Sequence, residues 1–121
     1  NGQVFTQDIG NELDKKDLIK VSSPRPGQKI TSPLLISGSA RGNWFFEGNL
    51  PIKLVDASGK TIATTNAQAL GEWMTDDFVD FTATIKFKPP YGLGKLIIQK
   101  NNPSDLPQNS DQLEIPLRFG P

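Results

Sequence analysis

Between Phe78 and Lys88 the chain reads Phe-Val-Asp-Phe-Thr-Ala-Thr-Ile-Lys-Phe-Lys, an alternation of apolar and polar residues that runs without a slip from Val79 onward. Successive side chains of an extended strand point to opposite faces, so Val79, Phe81, Ala83, Ile85 and Phe87 share one face and Asp80, Thr82, Thr84, Lys86 and Lys88 the other. A strand with one bulky apolar face and one charged face needs a second layer to cover the first.

The rest of the chain supplies short strands of the same kind. Leu18 to Ser22 reads as a strand, and Ser23-Pro-Arg-Pro-Gly as a turn whose prolines fix φ and remove amide donors. Leu34 to Arg41 places Leu34, Ile36, Gly38 and Ala40 on one face, and the small pair Gly38 and Ala40 leaves room for something bulky, such as an aromatic ring. Leu50 to Thr65 reads as a β-hairpin closed by Asp56-Ala-Ser-Gly59. Lys95 to Lys100 and Leu113 to Phe119 complete the set, with Pro116 marking an edge strand or a non-bonding position of the ladder. Ten prolines and eleven glycines among short apolar runs fit such a chain and not a helical bundle. About seven short antiparallel strands with regular turn signals predict an all-β, immunoglobulin-like β-sandwich, with a small barrel as the alternative. Residues 1–17 are polar and irregular and read as a leader or linker, with a weak apolar stripe compatible with a short helical turn. One domain is expected over residues 18–121.

Several function classes are excluded or disfavoured by composition. Thirteen basic and thirteen acidic residues leave no net field to draw nucleic acid or an anionic membrane, so no nucleic-acid partner is expected. No apolar stretch approaches the roughly 20 residues that span a bilayer, so no membrane-spanning segment is expected in this chain. The absence of His and Cys removes the Ser-His-Asp triad, the cysteine nucleophile and the usual zinc sites. Ser58 and Lys60 stand two apart, but in and beside an exposed turn, where water keeps a lysine protonated. Glu47, Glu72, Asp76, Asp77 and Asp80 have no spacing that fixes a glycosidase pair and read as a solvated charged edge. Asp76, Asp77 and Asp80 suit calcium by ligand type yet lack the ordered loop of an EF-hand. Gly92-Leu-Gly94 has no third glycine and no following helix, which removes a nucleotide loop. No enzyme, cofactor or metal site is expected.

Ile19-Lys-Val-Ser-Ser-Pro-Arg-Pro-Gly, Ser32-Pro-Leu-Leu-Ile-Ser-Gly-Ser-Ala-Arg, Phe46-Glu-Gly, Asp56-Ala-Ser-Gly, Gly71-Glu-Trp and Leu113-Glu-Ile-Pro-Leu-Arg-Phe follow one another in an order that resembles Gmad2, the immunoglobulin-like domain of bacterial spore-germination proteins. The resemblance covers roughly residues 18–119. It implies a non-enzymatic accessory or interaction module of a bacterial envelope or secreted protein, extracytoplasmic in location, and a buried aromatic at Trp73. A protein or a cell-wall polysaccharide is the expected kind of partner. A carbohydrate-binding module and an immunoglobulin-like protease inhibitor presenting a proline-rich loop stay open as alternatives.

The aromatics supply the candidate binding residues. Trp44 and Phe45, with Tyr91 on another loop, are the candidates for a platform that stacks on a sugar ring or a partner surface. Three successive aromatics cannot all face one way, and the competing reading has two of Trp44, Phe45 and Phe46 plugging the end of the sandwich.

Overall fold

The computed structural model describes residues 10–88, 90, 92–101 and 111–119. It holds eight strands: β1 (Ile19–Ser23), β2 (Lys29–Ile30), β3 (Leu34–Arg41), β4 (Asn49–Asp56), β5 (Thr61–Ala69), β6 (Phe78–Ile85), β7 (Gly92–Gln99) and β8 (Gln112–Phe119). They form one sheet in the order β1-β3-β6-β5-β4-β7-β8-β2. All pairings are antiparallel except the two-residue ladder of β2 with β8.

The expected sandwich of about seven strands in two separate sheets is therefore corrected to eight strands in one sheet curled into a half-barrel. The physical reason lies in β5. This strand pairs with β4 along its length, and its last residues pair on their other side as well, Gln68 with Thr82 and Ala69 with Phe81 of β6. That short ladder joins a wing of β1, β3 and β6 to a wing of β4, β7, β8 and β2. The apolar faces of the wings meet in one core, with Ile36, Phe81 and Ile85 on one side and Leu54, Leu96 and Ile115 on the other. A single sheet can pool its inward residues this way only by bending over itself.

The alternation of β6 is realised as read. Val79, Phe81, Ala83 and Ile85 are buried, Asp80 and Thr84 exposed, and Thr82 intermediate. Phe87, just past the strand, packs edge to face on Phe119 with centroids 5.9 Å apart. The ring expected near Gly38 stands across the strand pair, where Phe81 is its partner, but what presses most closely on Gly38 is backbone. A Cβ on Gly38 would stand 2.2 Å from the Lys20 carbonyl oxygen, so the glycine admits the backbone of β1, next to the irregularity between Val21 and Ser23. Pro116 also has a direct account. Its carbonyl accepts from Gly27 N on the side of β8 away from β7, so the missing amide hydrogen is on the outer edge, where no ladder needs it.

Residues 10–17, expected within a polar leader or linker, run along that outer edge of β8. Asn11 Oδ1 accepts from Glu114 N at 2.7 Å and Asn11 Nδ2 donates to the Gln112 carbonyl at 3.0 Å. A 3-10 turn at Glu12–Lys15 follows, and Glu12 holds Arg25 through its two terminal guanidinium nitrogens. Arg25 in turn donates to the Val21 carbonyl.

Candidate binding surfaces

Trp44 and Phe45 do not form an exposed platform: they are 1% and 5% exposed. The sequence leaves β3 through a 3-10 turn at Gly42–Trp44, which rolls the indole inward, and Phe45 then meets Phe81 edge to face at 6.3 Å. The 3-10 turn needs glycine, because a Cβ on Gly42 would lie 2.0 Å from the Thr75 carbonyl oxygen. Tyr91 lies outside the described residues.

The ring that points outward is Phe46, 44% exposed. It opens a tight turn in which Phe46 and Asn49 exchange both backbone hydrogen bonds, with Glu47 and Gly48 at φ 52° and 78°. Both central residues are left-handed, as a two-residue hairpin of the primed kind requires. Trp73, where the resemblance implied a buried aromatic, packs against the core with one side and leaves the other open. It is half-buried, its indole Nε1 lying 3.4 Å from where a Cβ on Gly48 would be, and Met74 beside it is 76% exposed.

A second surface is concave, and sequence reasoning missed it. It is a groove of about 800 Å³ on the outer face of β4, β7 and β8. Strand register sets its chemistry, because Lys53, Ile97 and Glu114 lie side by side in one row and Val55, Lys95 and Pro116 in the next. Leu93 and Arg118 form a third. Apolar and charged residues thus alternate along each strand and across the face, giving a broken apolar floor studded with cations. Lys95 Nζ is bound to Glu114 Oε1 at 3.2 Å, whereas Lys53 and Arg118 form no ion pair with a described residue.

The β4–β5 turn makes the lip of this groove. Asp56 Oδ1 accepts from Ser58 N at 2.9 Å, Ser58 Oγ at 2.6 Å and Lys60 N at 3.0 Å. The Ser58 hydroxyl bond, then the Lys60 amide, hold the Asp56 carboxyl below the usual aspartate range. Ser58 Oγ is thus engaged by a carboxylate, and Lys60 contributes its backbone amide to the same clasp. Gly59 completes the turn at φ 88°.

The remaining candidates are dispersed. Glu72 Oε1 accepts from Met74 N at 2.8 Å, and Asp80 lies on β6 beyond the 70–77 connection. Among the described residues no group of three or more metal-ligating side chains converges. No helix among them is long and apolar enough to cross a membrane.

Comparison with known families assigns the fold its relatives. Residues 18–105 match the family model Gmad2, described as the immunoglobulin-like domain of bacterial spore germination. The chain belongs to this family. No curated protein gives a match.

Proposed function

We propose that this Gmad2 domain is a non-enzymatic, extracytoplasmic interaction module that holds an extended segment of a partner protein in the groove on β4, β7 and β8. One observation carries the reading: apolar Leu93, Ile97, Val55 and Pro116 are interleaved with cations on a concave sheet face. Lys53 and Arg118 bring positive charge and form no ion pair with Asp56, whose Oδ1 is hydrogen-bonded within its own turn. A segment with apolar side chains at alternate positions and one or two carboxylates matches that face. The family's association with spore germination supports a setting in the bacterial envelope.

Selection of displayed random peptides against the intact chain tests the reading. Enriched peptides combine apolar and acidic residues, perturb the amide resonances of Leu93, Ile97 and Arg118, and lose binding to Leu93→Asp and to Lys53→Glu. Peptides that bind equally well to both variants would sink the groove assignment. The carbohydrate alternative now falls to Phe46 and Trp73, since Trp44 and Phe45 are buried. Retention on peptidoglycan that is lost in Phe46→Ala would favour it.

A further inference from the structure

The edges of the curled sheet are guarded unequally. On the open side of β1, Arg25 caps the Val21 carbonyl. On the open side of β8, Asn11, Gly27 and the short β2 take up backbone groups. Along the open side of β5 no described residue gives such cover. Its ladder with β6 ends at Gln68, so Thr61 to Ala67 have no ladder partner on that side among the described residues, and β6 draws away from them toward Thr61.

Hydrogen bonding at the end of β5 fixes which groups face the gap. Ala69 N donates to Gly48 O, on the β4 side, and Leu70 N donates to Asp80 O, on the β6 side. Backbone groups alternate along a strand, so the amides and carbonyls of Thr64 and Asn66 point, like those of Leu70, away from β4. Both side chains are exposed. Thr61 to Gly71 carries no lysine, no proline and no inward charge to defend an edge, and the irregularity at Ile62 lies at the start of the strand, before Thr64 and Asn66.

We infer that β5 is a pairing edge through which two copies of this chain associate, antiparallel, by continuing the sheet from one molecule to the other. Two arguments favour a second copy over a foreign strand. The uncharged strand meets no repulsion from its own duplicate, and Lys60 and Glu72, the charged residues that bracket it, come from opposite ends. Antiparallel pairing brings the lysine end of each copy toward the glutamate end of the other, whereas parallel pairing would align like charges. The same patch on both molecules then closes a two-fold dimer with no edge of β5 left to propagate. This edge is separate from the groove and does not depend on what the groove binds.

Sedimentation equilibrium of the intact chain, at concentrations up to about 1 mM, is the test. The expected result is a concentration-dependent dimer that the Thr64→Lys, Asn66→Lys double variant abolishes and that Leu35→Lys, which adds a charge on the exposed face of β3, leaves unchanged. Amide exchange of the unaltered protein supplies a check that needs no variant: protection at Thr64 and Asn66 should rise with concentration. A monomer throughout, a dimer that survives the lysine pair, or exchange at these amides that ignores concentration would overturn the inference, and protection conferred only by an added extended peptide would assign the edge to a foreign strand instead.

Discussion

Phe45 and Phe81 meet edge to face with ring centroids 6.3 Å apart, tying the turn after β3 to the middle of β6. Phe81 is among the largest fully buried side chains, and its neighbour Thr82 only donates to the Ile36 carbonyl at 3.3 Å on the other face. Truncating the ring removes transfer energy, leaves a cavity and strips Phe45 of its partner. Phe81→Ala should cost about 3–5 kcal/mol, and Thr82→Ala at most about 1 kcal/mol. Denaturant melts check the order; a costlier Thr82→Ala would mean that the two faces of β6 are exchanged.

A glycine pair provides the second contrast. At Gly38 a Cβ would press against the backbone of β1, which cannot yield as a side-chain tip can, while at Gly71 nothing lies within 4 Å. Gly38→Ala should destabilise by about 1–3 kcal/mol through forced backbone movement. Gly71→Ala should be neutral or add up to about 1 kcal/mol by restricting the unfolded chain. Thermal melts of the two variants that failed to separate in this direction would remove the tight approach of β1 to β3.

Much of this architecture is legible in the sequence because a period of two survives any detail of packing. The inward rows of β6 and β8 can be read directly, and so can the Asp56 turn. The two-residue β2 is too short to show a period, and the short ladder of β5 with β6 depends on where two neighbouring strands diverge, which alternation does not encode. Choosing the outward ring among Trp44, Phe45 and Phe46 fails for a related reason: the 3-10 turn interrupts the alternation just where it is needed. The groove was invisible because Val55, Lys95 and Pro116 become neighbours only through the register of three strands.

The Asp56 clasp predicts a pH dependence whose sign follows from its depressed carboxyl. The folded value lies below the ordinary 3.8, so the stabilisation is fully present above that value and is lost as pH falls through the folded value. Asp56→Asn, which cannot titrate, should differ from the unaltered protein at about pH 7 and converge on it in acid. Urea melts across that range check this, and amide exchange at Ser58 and Lys60 should accelerate in step. A difference that widened on acidification would contradict the clasp.

Residues 10–17 give the last prediction, because they can be tested as a working part of the sheet or as a mere approach to it. Asn11 offers one acceptor and one donor to successive outward positions of β8, taking the Glu114 amide and the Gln112 carbonyl, so it does for that edge what a further strand would do. Asp14, three residues on, is exposed and engages the structure through its backbone amide, which bonds to the Asn11 carbonyl at 3.1 Å. If the segment stabilises the edge, Asn11→Ala leaves two strand groups to water or to nothing and should cost about 1–3 kcal/mol. Asp14→Ala should stay within about 0.5 kcal/mol, as is usual for a surface change that breaks no specific feature. The amide of Glu114 is the local reporter, and its hydrogen exchange should quicken in the Asn11 variant alone. Equal melts, with exchange at Glu114 unaltered, would mean that the segment lies against β8 without contributing to its stability.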